Sequence, residues 1–385
     1  MHSSPSIALS RRSFLASALG AAASATLVGL QPYQALASGI ATRRKVIVIT
    51  FGGGARDDET FSLEGQRNIP HLLNTLAPQS CFFTQVLNRG ILGHYVATAS
   101  IACGAYETFD NFLAQGPAHP TVFEYFRKGL RRPGDDAWVI APSDLFALMG
   151  SSRDRRYGPS LGARLVLPKQ LLANALGTDA GSHLNAYPDL LRDNYETPSV
   201  SDLRSSVGNQ EETERTLAHL GLDRAEMKKH AANLVSPDEL SVFVTRRIMQ
   251  QLAPSLLFVT LHDIDIAHSG AYSLYIEGIR RTDRLCGEIW EGVQSNPEYK
   301  DKTTVFILPD FGRDGDGDSG GNGFQHHRTG SAMARTTWMM ALGSGIRENT
   351  VIHRPIDSID LAPTLGGLLG FETPYALGKR IPELA

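Results

Sequence analysis

The chain has few cysteines, no excess of basic charge and no long apolar run beyond its first residues. Cys81, Cys103 and Cys286 are its only three cysteines in 385 residues. None forms a CxxC pair, which excludes a thiolate zinc knuckle or a CxxC redox motif. The simplest role for all three is as small buried hydrophobes, with one disulfide as the alternative. Lysine and arginine number 37 against 40 aspartates and glutamates, a net charge of −3. That balance offers no global field to draw nucleic acid or an anionic membrane. No later stretch approaches the roughly 18 apolar residues that a membrane span needs. The spacings GxGxxG and GxxxxGK[ST] are absent, so Gly52-Gly53-Gly54 is no nucleotide fingerprint; three glycines there allow backbone to approach backbone closely. No internal repeat or heptad run is present.

What remains is an ordinary folding composition, 42% hydrophobic and 20% charged, long enough for one large α/β domain or two smaller ones. The amino terminus reads as a targeting segment. Ser10-Arg11-Arg12-Ser13-Phe14-Leu15-Ala16 resembles a twin-arginine export motif. An Ala-rich apolar stretch follows to about Leu30, and Ala35-Leu36-Ala37 fits a small-residue cleavage site. Residues 1–37 are therefore expected to be a signal peptide for the twin-arginine export machinery, leaving a periplasmic protein without a stable membrane span. An uncleaved membrane anchor is the alternative reading.

Beyond this segment, apolar runs alternate with helix-like stretches. KVIVITF (45–51) reads as a buried strand, followed by a helix over about 68–76 and a strand over 80–86. A small-residue helix over 97–105 enters near Gly93-His94, and 138–141 is another strand. Residues of about 150–240 are polar and lack strand signals. They are expected to be a helical insertion, either a lid or a peripheral decoration. Ser236 and Pro237 then start a helix over 238–252. Strand 256–261, helix 272–293, strand 304–308, strand 337–342 and a helix over 361–369 ended by Gly370 complete the pattern.

Three polar stretches each follow a strand: Gly52–Asp58, His262–His268 and Asp310–His327. In an open parallel sheet, ligands bind outside the carboxyl ends of the strands. Side chains remote in sequence would meet there. Asp263, Asp265, His268, Asp310, His326 and His327 are the candidate metal ligands. Carboxylate and imidazole together suit zinc, iron or manganese better than calcium. Arg56, Arg313 and Arg328 are candidates to grip a tetrahedral oxyanion, because guanidinium matches phosphate and sulfate geometry. His94 is a candidate second-metal ligand, general acid–base or nucleophile. The start of its helix would itself favour an anion through free backbone amides. Each residue also has a plainer role: Asp263 and Asp265 as helix caps, Asp310 as a turn residue answered by Arg313, the arginines as surface ion pairs, His94 as a packed ring. Asp314–Asp318 begins like a calcium loop, but Ser319 and Gln325 break the EF-hand pattern.

The order of VIVITFGGGAR (46–56), GHYVATASIACGAYE (93–107), DIDIAHSG (263–270), LPDFGRD (308–314), FQHHRTG (324–330) and SIDLAPTLGGLLG (358–370) resembles the alkaline phosphatase superfamily. The resemblance spans nearly all of the chain after residue 37. It implies an α/β three-layer sandwich with a largely parallel sheet. It also implies two metal ions, zinc foremost, flanking a nucleophile and polarising a phosphate or sulfate ester. Several positions depart from that pattern. Gly52 stands where the first strand usually ends in a metal-binding Asp, with Asp57 and Asp58 the nearest replacements. The nucleophile's place falls on His94, with Thr98 and Ser100 further along the helix. Phe311 stands where an imidazole usually follows Asp310. One metal site looks intact, formed by Asp263 or Asp265, His268, and His326 or His327; the second has lost much of its shell.

The expectation is a periplasmic metal-dependent hydrolase of phosphate or sulfate esters in small molecules, glycans or lipids. The alternative is a catalytically degenerate protein on the same fold, keeping a metal or anion pocket as a binding or structural envelope component.

Overall fold

In the computed structural model, residues 44–384 are described apart from 113–114, 143, 177–209 and 329. The expected signal segment and much of the expected insertion lie outside the described residues.

KVIVIT forms strand β1 (Lys45–Thr50), every residue of it buried. Its side chains alternate between two cores. Ile47 and Ile49 join one apolar cluster, and Val46 and Val48 join the other. Both faces of the sheet are therefore covered, which explains the uninterrupted apolar run in place of alternation. Among the described residues nine strands form one sheet: β1, β2 (Ser80–Leu87), β3 (Ala137–Ile140), β4 (Arg164–Val166), β5 (Leu256–Thr260), β6 (Thr303–Leu308), β7 (Thr336–Gly343), β8 (Thr350–Ile352) and β9 (Ile356–Asp357). The order is β4-β3-β5-β1-β6-β7-β2-β8, with β9 also paired to β2. Every ladder is parallel except the two that β7 makes with β6 and β2.

The principal helices are α1 (His94–Cys103), α2 (Val122–Gly129), α3 (Pro168–Leu176), α4 (Gln210–His219), α5 (Arg224–Ala231), α6 (Pro237–Gln251), α7 (Tyr272–Ser295) and α8 (Leu361–Leu369). Helices α3 to α7 pack on one face with Ile47 and Ile49, and α1, α2 and α8 on the other. The result is the expected three-layer α/β arrangement. Ser236 caps α6 by accepting from the Glu239 amide at 3.1 Å. Gly370 ends α8 in the left-handed region, at φ 84°.

The structure departs from the sequence reading in two places. Residues 72–76 form one wide π-type turn flanked by 3-10 turns, in place of a helix over 68–76. The expected helical insertion holds β4, which extends the sheet beside β3. The three cysteines, by contrast, are buried free thiols, as the sequence reading expects.

Candidate metal centre

Strands β1, β5 and β6 lie side by side and parallel, so their carboxyl ends share one edge. Each feeds a loop of the site. After β1 the chain turns through Gly53 and Gly54, at φ 93° and 68°. This turn is wedged between the other two loops. A Cβ at Gly52 would lie 2.0 Å from the Leu261 carbonyl oxygen, and one at Gly53 would lie 2.5 Å from the Asp265 amide nitrogen.

After β5, Asp263–Ser269 forms a 3-10 helix. Side chains three residues apart eclipse in such a helix. Asp265 and His268 therefore share a face, and His262 precedes them on it at the same spacing. Asp263 falls on another face, where its carboxylate accepts from Arg281 at 2.9 Å. The loop is clamped from below by Asp238, on the first turn of α6. Its buried carboxylate accepts from the His262 amide at 2.8 and 2.9 Å and from the Asp263 amide at 2.8 Å.

Four ligand atoms, from His94, Asp265, His268 and His327, all lie within 4.8 Å of one another. The Nε2 atoms of His268 and His327 are 2.8 Å apart. His268 Nε2 is 3.1 Å, and His94 Nε2 2.9 Å, from Asp265 Oδ1. His327 donates its Nδ1–H to the Leu92 carbonyl at 2.9 Å. With its proton on Nδ1, its Nε2 carries the lone pair that faces the cluster. Burial, reinforced by the charges of His94 and Arg313, lowers His327 to about 2, so the ring is neutral, as a ligand must be. Asp265 is held well below the usual carboxylate range: burial opposes this, and the charge of His94 with hydrogen bonds from His268 and His94 outweighs it. Burial likewise opposes a charge on His94, but Asp265 and Asp310 outweigh it and push the imidazole up to about 10.

This donor set fits a divalent cation. Zinc–nitrogen bonds of about 2.0–2.1 Å in a tetrahedron put ligand atoms roughly 3.3 Å apart, close to the separations found here. The backbone carbonyl behind His327 is the outer partner that a metal-bound imidazole ordinarily has.

The remaining candidates are placed otherwise. Asp310 meets the site through His94, whose Nδ1 lies 2.5 Å from its Oδ2. The His326 ring is no member of the four-residue group, and its carbonyl accepts from the Asp314 amide. Arg313 is fully buried, donating to Gly53 O, Gly54 O, Phe324 O and Asp265 Oδ1 at 2.5–3.1 Å. The sequence reading of Arg313 as an oxyanion grip is corrected: it ties the glycine turn to the metal ligand Asp265. Arg56 is likewise taken up, by Glu59 and Asp316. Arg328, 56% exposed along its side chain, is the one of the three arginines that reaches solvent.

His94 as a nucleophile is corrected too, since each ring nitrogen already faces a carboxylate. Thr98 and Ser100 turn their hydroxyls into their own helix, donating to His94 O and Val96 O at 2.7 Å. The start of α1 is not an open anion site, because Asn111 Oδ1 accepts from the Tyr95 and Val96 amides. Phe311, where an imidazole was missing, stacks on His94 with centroids 4.6 Å apart. His262 was overlooked as part of the site. Its ring packs 4.8 Å from His94, and its Nε2 lies 3.6 Å from Asp265 Oδ2. The spacing 262–265–268 was the signal for it.

The layers and the sheet order make an alkaline-phosphatase-like α/β fold. Solved structures of that kind match it. Lipoteichoic acid synthase LtaP from Listeria monocytogenes gives a TM-score of 0.54 at 13% identity, over 89% of this chain and 76% of that one. The phosphonate monoester hydrolase SpPMH from Silicibacter pomeroyi gives 0.53 at 16% identity, over 88% and 76%. A variant of the alkaline phosphatase PafA gives 0.50 at 14% identity, over 89% and 99%. At such identities the likeness is one of fold. No family model and no curated relative matches the sequence.

Proposed function

We propose that this chain is a periplasmic hydrolase of phosphate or sulfate esters that works with one divalent cation, zinc foremost. Asp265, His268 and His327 would hold the ion. The observation that carries this reading is the convergence of His268 Nε2, His327 Nε2 and Asp265 Oδ1 on one point, with His327 fixed from behind by Leu92. A bound cation supplies Lewis acidity toward an ester oxygen and makes water a better nucleophile near neutral pH. The protein's own part is to hold the ligand atoms in place through Asp238 and Arg313, and to offer Arg328 to an incoming anion. The substrate class is an ester of a small molecule, glycan or lipid, and the route to the periplasm is the twin-arginine pathway suggested by Arg11-Arg12.

A second reading, a metal-binding envelope protein without turnover, is favoured by two observations. The backbone closes over Gly52, where a further ligand would project. The hydroxyls of α1 are bonded into their own helix. A screen of the zinc-loaded protein against chromogenic phosphate monoesters, phosphate diesters and sulfate esters separates the two. Turnover that disappears on chelation and returns with zinc supports the hydrolase. No turnover on any class, with zinc bound, leaves the second reading.

A further inference from the structure

We propose that His94 is the fourth ligand of the same cation and that Asp310 is the residue that aims it. This rests on the metal-centre reading but not on turnover. His94 sits at the head of α1, 4% exposed, and cannot turn freely. Its ring is stacked against Phe311 at 4.6 Å and bounded edge-on by His262 and His327, each at 4.8 Å. The position of α1 is set in turn by Asn111, which caps it and leaves no room for a side chain at Gly93, where a Cβ would come within 2.6 Å.

Within this slot the two ring nitrogens have different surroundings. Nδ1 points to Asp310 Oδ2 at 2.5 Å. Nε2 points into the cluster, 2.9 Å from Asp265 Oδ1, where the Nε2 atoms of His268 and His327 also face each other; an ion bound there takes the place of the proton that His94 Nε2 shares with Asp265. Asp310 is itself fixed. Its Oδ1 accepts from the Phe311 amide at 3.1 Å, and its carbonyl from Asn88 Nδ2 at 3.3 Å. A carboxylate that receives Nδ1–H leaves the Nε2 lone pair directed at the ion, the arrangement that holds metal-bound imidazoles in register. Asp310 is thus a positioning residue one bond removed from the metal. The centre has three imidazoles and one carboxylate, and a single ion.

X-ray absorption on the zinc-loaded full-length protein counts the imidazoles directly. Three are expected in the wild type and two in His94→Ala. Asp310→Ala should weaken zinc binding roughly 10- to 100-fold. Asp310→Asn, whose amide oxygen still accepts from Nδ1–H, should recover most of that loss. Two imidazoles in the wild type, or wild-type zinc affinity in Asp310→Ala, would overturn the proposal while leaving the three-ligand centre standing. A wild-type protein that binds no zinc would overturn both. If Asp310→Ala does not fold, the wild-type count and Asp310→Asn still decide.

Discussion

The two halves of the sheet's carboxyl rim have gone different ways. The half built from the loop after β5 and from His327 gathers nitrogen and oxygen donors around one point. The half built from the turn after β1 and from Phe311 is closed at two points. Backbone meets backbone at Gly52, and Phe311 fills its space with an aromatic ring against His94. The halves share one fold and one set of strand ends, yet among the described residues only the first brings such donors together. The difference shows that strand topology brings loops together, whereas side-chain volume and backbone clearance decide what they can hold.

The comparison can be broken by rebuilding the closed half. Gly52→Asp would place a Cβ 2.0 Å from the Leu261 carbonyl, so the strand or its neighbour must move. A loss of about 3 kcal/mol or more in unfolding free energy is expected, beyond ordinary overpacking, with no second ion gained. Denaturant titration with elemental analysis checks both; a stable variant with two ions would show the half to be open after all.

The open half depends on its support. Asp238→Ala strands the His262 and Asp263 amides in a buried place. Each unsatisfied group costs about 1–3 kcal/mol, so a loss of roughly 3 kcal/mol is expected, together with weaker zinc binding because Asp265 and His268 ride on that loop. Unchanged zinc affinity at reduced stability would separate the clamp from the site.

A smaller effect lies away from the rim. Asp283, buried on α7, accepts from the His71 and Leu72 amides. Burial, only partly offset by those amides, pushes its carboxyl up to about 6 from 3.8. A carboxyl raised in the folded state binds more protons folded than unfolded between those values. Its contribution to stability is therefore favourable at low pH and is lost as pH rises from about 4 to 6, on the order of 3 kcal/mol. Asp283→Asn should flatten that part of the stability profile, with the two proteins converging toward pH 4. Parallel profiles across this range would contradict the assignment.

Much of this was legible in the sequence, for definable reasons. The long apolar strands and the Ser236-Pro237 start of α6 announce themselves because periodicity and capping are local. Strand β4 does not, since three residues beginning with an exposed Arg164 carry no pattern. The rim was legible because parallel strands must end together. The choice between Asp263 and Asp265 was not, because it depends on whether the loop winds as a 3-10 helix. Nor could the sequence show that Arg56 and Arg313 spend their donors inside the protein, since an arginine bound to carbonyls reads like one awaiting an anion.

The most direct test is the metal content of the purified full-length protein after zinc loading and removal of loosely bound ions. One divalent ion per chain is predicted in the wild type and none in His268→Ala. Two ions per chain, no ion at all, or a His268→Ala protein that keeps its ion would contradict the account.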